Sequence, residues 1–168
     1  MERYIDTDRL IIKPLTESDA DDVFEWVSDP IVNRFLPYNL YQNVDQVRKW
    51  IASIEDEDYE FGFFLKSTGK CIGSGSIGLN QNGAYDLGYN FNRTYWNQGY
   101  ATEAGKALIA WAYQNLNARY FESTHALENI ASGRVIQKCG FQFDHYGQYS
   151  RFDGSETFDA AYYKLHLE

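Results

Sequence analysis

A mixed α/β fold, with a mostly antiparallel sheet and one parallel strand pair at its centre, is what this 168-residue chain predicts. Three observations lead there. Three short strands run in succession between residues 60 and 91, joined by the turns Thr68-Gly69 and Asn82-Gly83. Apolar residues at helical spacing, Ala101, Ala104, Leu108, Trp111 and Ala112, follow them. The next strand, Tyr120 to Ala126, is reached through that helix, and a helical crossover returns a chain parallel to its starting strand.

Leu10-Ile11-Ile12-Lys13-Pro14-Leu15 reads as the first strand. Thr16, with Asp19 three residues on, resembles a capping box and opens a helix to about Ser28, with Ala20, Val23, Phe24 and Val27 inward. Pro30 ends it. Asn43 and Gln46 mark a second helix, on which Val44, Val47, Ile51 and Ile54 share one side, and Asp56-Glu57-Asp58 is a solvated turn. Strands then run from Glu60 to Lys66, Lys70 to Leu79 and Tyr85 to Phe91. The long helix ends near Asn117. Asn129 opens a short helix that Gly140 closes as a C-cap. Phe141 to Tyr146 and Glu156 to Leu167 are the last strands, joined by a turn containing Asp153-Gly154. The order is β-α-α-β-β-β-α-β-α-β-β, and the length suits one domain over residues 1–168.

Composition narrows the function classes. A 44% hydrophobic and 17% aromatic chain has material for a core. No apolar run approaches the roughly 18 residues of a transmembrane helix, and Met1-Glu2-Arg3-Tyr4-Ile5-Asp6 lacks a signal peptide's apolar core. Cys71 and Cys139 have no metal or redox spacing and read as buried free thiols of a reducing cytosol. His125, His145 and His166 show no ligand spacing, so no metal is expected. A net charge of −9 argues against nucleic acid as a partner and suits a cationic substrate such as an amine. A phosphate-rich ligand then needs a local basic patch, which Arg134 and Lys138, four apart on one helix face, supply with Lys106 nearby.

The segment Trp96-Asn97-Gln98-Gly99-Tyr100-Ala101-Thr102-Glu103-Ala104 stands between a strand and a helix. A helix start exposes unpaired N–H groups at the positive end of its dipole, and small residues there let an anion approach. The segment therefore reads as a phosphate cradle, with Gln98, Gly99, Tyr100, Ala101 and Thr102 as backbone donors. It is not a P-loop, since no Gly-Lys-Ser/Thr follows. Gly73-Ser74-Gly75-Ser76-Ile77-Gly78 satisfies the dinucleotide fingerprint, but an Asn-Gly turn follows it instead of a helix. It reads as a strand lying close to another backbone.

This order, with a cradle after the fourth strand, resembles the GNAT superfamily of acyl-CoA-dependent N-acetyltransferases. Thr7-Asp8-Arg9-Leu10-Ile11-Ile12-Lys13-Pro14-Leu15 is similar to the start of the branch that includes ribosomal-protein N-terminal acetyltransferases. Leu87-Gly88-Tyr89 through Ala104 resembles its pyrophosphate motif, and Asn129 through Phe141 its second coenzyme A motif. The pattern departs in places: Trp96 and Asn97 stand where many members carry other residues, and Ile136 where many place a tyrosine acid.

The resemblance implies attack of a neutral amine on the thioester of acetyl-CoA. Asn129 would hydrogen-bond the pantetheine arm or act only as an N-cap, and Arg134 and Lys138 would meet phosphate. A backbone N–H at the end of the cradle strand, at Phe91, would meet the thioester oxygen. Ser132 would protonate the thiolate, or merely satisfy backbone in the first helical turn. Glu122 and Asp86, acids inside strands, are the candidate bases, with solvent exposure or ammonium binding as the other reading. Glu103 complements the helix N-terminus. Phe35, Pro37, Tyr38 and Tyr41 would line an acceptor pocket or form a core lid. The acceptor is a protein N-terminus or a small amine such as a polyamine, with no membrane partner, and the protein is a monomer or homodimer. A non-catalytic acyl-CoA sensor on the same fold, and a binder of another phosphate ligand, are the competing readings.

Overall fold

The computed structural model describes residues 1–168. Eight strands form one sheet in the order β1-β2-β3-β4-β5-β6-β8-β7. They are β1 (Ile5–Asp6), β2 (Leu10–Lys13), β3 (Glu60–Leu65), β4 (Cys71–Leu79), β5 (Tyr85–Phe91), β6 (Tyr120–Ala126), β7 (Gln142–Ser150) and β8 (Thr157–His166). The helices are α1 (Ala20–Val27), α2 (Val44–Ser53), α3 (Tyr100–Asn115) and α4 (Ile130–Lys138). Only β5 and β6 pair in parallel; every other ladder is antiparallel.

Local chemistry starts the helices where the sequence expects. Asp19 accepts the Thr16 N–H at 2.8 Å, although a 3-10 turn, Glu17–Asp19, precedes the α-helix proper. Asn43 caps α2 by accepting the Gln46 N–H at 2.9 Å, and the Gln46 side chain accepts the Gln42 N–H in return at 2.8 Å. Two departures concern strands. The two-residue β1 is too short to leave a periodic signal, and β7 extends to Ser150 because pairing with β8 carries it past its apolar residues. The insertion of β8 between β6 and β7 is a tertiary choice that no local pattern encodes.

Alternation in each strand divides the core between two faces. On one, Phe61 meets Trp111 of α3 edge-on at 5.1 Å, and Phe63 stacks on Phe91 at 5.0 Å. On the other, Phe64 and Cys71 pack with Val23, Trp26, Val47 and Ile51 of α1 and α2. The glycine run of β4 answers to close backbone approach. A Cβ on Gly75 would stand 2.5 Å from the Gly88 carbonyl oxygen and 2.7 Å from the Phe63 ring.

Candidate acetyl-CoA and acceptor site

The parallel pair is the structural origin of the site. β5 and β6 are in register only at Tyr85–Phe121 and Asp86–Glu122. Beyond these the strands part, and the Ser123 hydroxyl, donating to the Leu87 carbonyl at 2.9 Å, closes the fork. The Asn92 N–H donates to Ile72, which sets the parity of β5: even residues turn backbone groups to β4, and Leu87, Tyr89 and Phe91 turn theirs to the gap. The Phe91 ring belongs to the core, and its carbonyl accepts the Trp96 indole N–H at 2.9 Å. Its N–H is what remains to face the gap.

At the open end of the fork the chain turns into α3. Asn97 (φ +62°) and Gly99 (φ +83°) both adopt the left-handed region on either side of Gln98. Asparagine tolerates this region better than most residues, so Asn97 serves without a second glycine. Each N–H from Asn97 to Thr102 lacks a protein acceptor, and Glu103 is the first to bond back, to the Gly99 carbonyl at 3.1 Å. A row of free amides at alternating backbone hand, on a helix start, is an anion nest.

A clamp from the β1–β2 connection holds this turn. Arg9 donates through Nε to Glu103 at 2.7 Å and through Nη1 to the Gln98 carbonyl at 2.7 Å, and its guanidinium lies 4.1 Å from the Tyr100 ring centre. Glu103 also accepts the Thr7 hydroxyl at 2.6 Å and the Arg9 N–H at 2.9 Å. Burial opposes ionisation of Glu103, but the bonds from Thr7 and Arg9 outweigh it and hold the carboxyl below its usual range. Its carboxylate thus ties the β1–β2 connection to α3, a contact added to whatever it does for the helix dipole. Arg9 belongs to a recognised motif, but only the fold shows that its partners lie some ninety residues away.

On the same face, α4 brings a second set. Asn129 caps it, accepting the Ser132 N–H at 3.3 Å. The Ser132 hydroxyl lies 3.0 Å from the Tyr89 phenol of β5. Arg134 and Lys138 are exposed further along α4, and neither they nor Lys106 is spent in an ion pair. Ile136 is fully buried core. No group of three His, Cys, Asp or Glu side chains is arranged for a metal ion, and no helix is long and apolar enough to cross a membrane.

The opposite face carries acids. Asp86 and Glu122 sit side by side at the closed end of the fork. Asp86 accepts from Asn80 at 3.0 Å and Glu122 from Asn82 at 3.5 Å. Burial and then the Glu122 charge push the Asp86 carboxyl up, against the Asn80 bond. Glu60, which sequence reading passed over, lies on the same face in the row Glu60–Ser76–Gly88. Burial and the nearby Asp58 charge push it up to about 7, against a bond from Ser76. An acid opening the apolar run Phe61-Gly62-Phe63-Phe64 was the available signal.

A loop roofs this face. Residues 29–43 leave α1, which packs on β4, and reach across to the β7–β8 hairpin. There Arg151 donates to the Leu36 carbonyl at 3.0 Å and the Arg34 carbonyl at 2.7 Å. The Tyr149 hydroxyl donates to Phe35 at 2.6 Å, and the Phe152 N–H to Pro37 at 2.8 Å. Phe35 meets Phe158, and Tyr38 meets Phe152, edge to face. Midway, Asn90 of β5 donates to the Asn33 side chain at 3.5 Å. Since β5 and β6 lie between β4 and β8, the loop crosses the fork. The aromatic cluster is thus a strap fastened at its far end, where sequence reading left a pocket lining and a core lid as alternatives.

Residues 9–142 match the acetyltransferase (GNAT) domain family. The chain belongs to the GNAT acetyltransferase family. "Uncharacterized N-acetyltransferase p20" of Bacillus licheniformis is 29% identical over 143 residues, covering 81% of this chain and 80% of that protein. The crystal structure of a GNAT-family acetyltransferase from Bacillus anthracis superposes with a TM-score of 0.84 at 25% identity, over 97% of this chain and 98% of that one. The fold is shared too with the microcin C7 self-immunity acetyltransferase MccE, solved with acetyl-CoA and AMP, at a TM-score of 0.81 and 15% identity, over 95% and 93% of the two chains. As a GNAT enzyme the protein is an acetyl-CoA-dependent N-acetyltransferase. The free amides from Asn97 to Thr102 and the unpaired cations of α4 fit a ligand carrying a pyrophosphate and a further phosphate.

Proposed function

We propose that this GNAT enzyme acetylates a slender primary amine, a polyamine-like small molecule or an extended protein N-terminus, that reaches the β5–β6 fork beneath the strap. The strap carries this reading, because a chain segment fastened over the fork by Arg151, Tyr149 and Phe152 obstructs a broad acceptor. The acidic face below it, with Glu60, Asp86 and Glu122, suits an ammonium group.

The residues take distinct roles in this reading. Gln98, Gly99, Tyr100, Ala101 and Thr102 hold the pyrophosphate through their amides, Arg134 and Lys138 meet phosphate, and Asn129 meets the pantetheine arm. Bound acetyl-CoA supplies the activated acetyl group. The Phe91 N–H faces the gap as a donor for the thioester oxygen. Asp86 and Glu122, two neighbouring carboxylates at the closed end of the fork, draw the proton from the ammonium along a chain of waters. Ser132 delivers a proton to the thiolate.

A thiol-release assay with acetyl-CoA against diamines, monoamines, N-terminal peptides and acetyl-blocked peptides tests the proposal. Turnover is expected with slender primary amines and none with blocked peptides. Acetyl-CoA binding without turnover on any amine would support a sensor instead.

A further inference from the structure

Tyr89 is a titratable group of the fork that none of these roles uses. It stands on β5 with its side chain on the α4 face, two residues from the end of the strand. Its phenol lies 3.0 Å from the Ser132 hydroxyl and 3.3 Å from the Ser132 carbonyl oxygen. The ring packs against the α3-side core, and Ser132 is fixed in turn by the Asn129 cap. Two neutral hydroxyls this close have two arrangements. When the phenol donates to the carbonyl, its oxygen is free to accept the serine hydrogen, which is then held by the phenol. When the phenol donates to the serine oxygen, the serine hydrogen is released to point elsewhere. Burial raises the phenol well above the ordinary tyrosine range, so between turnovers it carries its hydrogen and can donate it.

We propose that Tyr89 is a positioning residue for the Ser132 hydroxyl, turning the single serine hydrogen toward the sulfur of coenzyme A and replacing it once it has left. The inference rests on the role given to Ser132 above. As the carbon–sulfur bond breaks, its electron pair stays on sulfur, and sulfur takes the serine hydrogen. The serine oxygen takes the phenol hydrogen, and solvent returns a proton to the phenolate. The acceptor ammonium loses two protons over the reaction, so one proton reaches solvent for each acetyl group moved. A hydroxyl fed by a second hydroxyl is a better donor than one alone, because each bond polarises the next.

The test compares Tyr89→Phe with Ser132→Ala by two measurements. The first needs no turnover: the thiol of bound coenzyme A is titrated through its thiolate absorbance, with affinity read by calorimetry. The second is steady-state kinetics. In Tyr89→Phe the bound thiol should titrate about one pH unit higher than in the parent enzyme. Its kcat should fall about 10- to 100-fold with KM for acetyl-CoA kept. Ser132→Ala should do the same or more. A parent-like thiol titration and kcat in Tyr89→Phe, with both changed in Ser132→Ala, overturns the inference and leaves the serine role standing. No change in either variant overturns both. Should Tyr89→Phe unfold, Tyr89→3-fluorotyrosine keeps the shape and makes the phenol more acidic. As a stronger donor it should bring the titration of the bound thiol to lower pH than in the parent enzyme, and an unmoved titration overturns the inference.

Discussion

Arg9 and Glu103 join the β1–β2 connection to the cradle helix, with guanidinium Nε and carboxylate 2.7 Å apart. The same guanidinium holds the Gln98 carbonyl, so its other bond reaches the backbone of the turn whose amides face outward. Arg9→Ala is expected to weaken acetyl-CoA binding about tenfold in calorimetry, by freeing a turn that must then be ordered on binding. Its melting temperature should fall by only a few degrees, as the arginine side chain is 43% exposed. An unaltered affinity would show that the turn holds its shape alone.

Gly75 and Gly78 lie on one strand and should respond differently to the same change. Gly75→Ala would press a methyl against the Gly88 backbone and the Phe63 ring, at a cost of about 2–4 kcal/mol in urea unfolding. Gly78→Ala meets only the Asp58 carbonyl oxygen at 3.5 Å and should stay within about 1 kcal/mol of the parent. Equal effects would contradict the close packing of β4 on β5.

Glu60 gives the stability a pH dependence of known sign. Its folded pKa, about 7, lies above the ordinary 4.5, so the folded protein binds the extra proton between those values. Stability therefore falls as pH rises from about 4.5 to 7 and is level beyond, and Glu60→Gln removes that slope. The slope lost amounts to on the order of 2–3 kcal/mol. Urea midpoints at pH 5 and pH 8 for both proteins measure it, and identical pH profiles would show that Glu60 is not held in its raised state.

Arg151 fastens the strap. Arg151→Ala removes two bonds to loop carbonyls and its contact with Glu156, 3.5 Å away. KM for the acceptor should rise about tenfold, KM for acetyl-CoA should be unchanged, and limited proteolysis should cut within residues 33–41 sooner. Equal changes in both KM values would place the effect in the whole fold and not in the strap.

Asp86 lies beside the Glu122 charge, so removing that charge should relax Asp86. Glu122→Gln takes away a charge that raises Asp86, and the acidic limb of kcat should move to lower pH. The same limb in both proteins would remove this pair from the proton path.

Much of this protein is local chemistry. Asn43, Asn129 and Gly140 place helix ends where a side-chain oxygen or a free φ is needed, and Tyr85–Phe91 and Tyr120–Ala126 take their bounds from the turns and helices that flank them. The free amides of the turn before α3 were legible for the same reason: a helix start leaves its first N–H groups unpaired whatever lies around them. What the chain by itself could not declare were contacts between segments far apart in sequence. Arg9 meets Glu103, Tyr89 meets Ser132, Arg151 meets Leu36, and Glu60 is pushed up chiefly because the fold covers it. Periodicity reports which side of an element is apolar, but which polar groups meet across a gap depends on strand order and crossover. Here the placement of β8 beside β6 and the parting of β5 from β6 decided that.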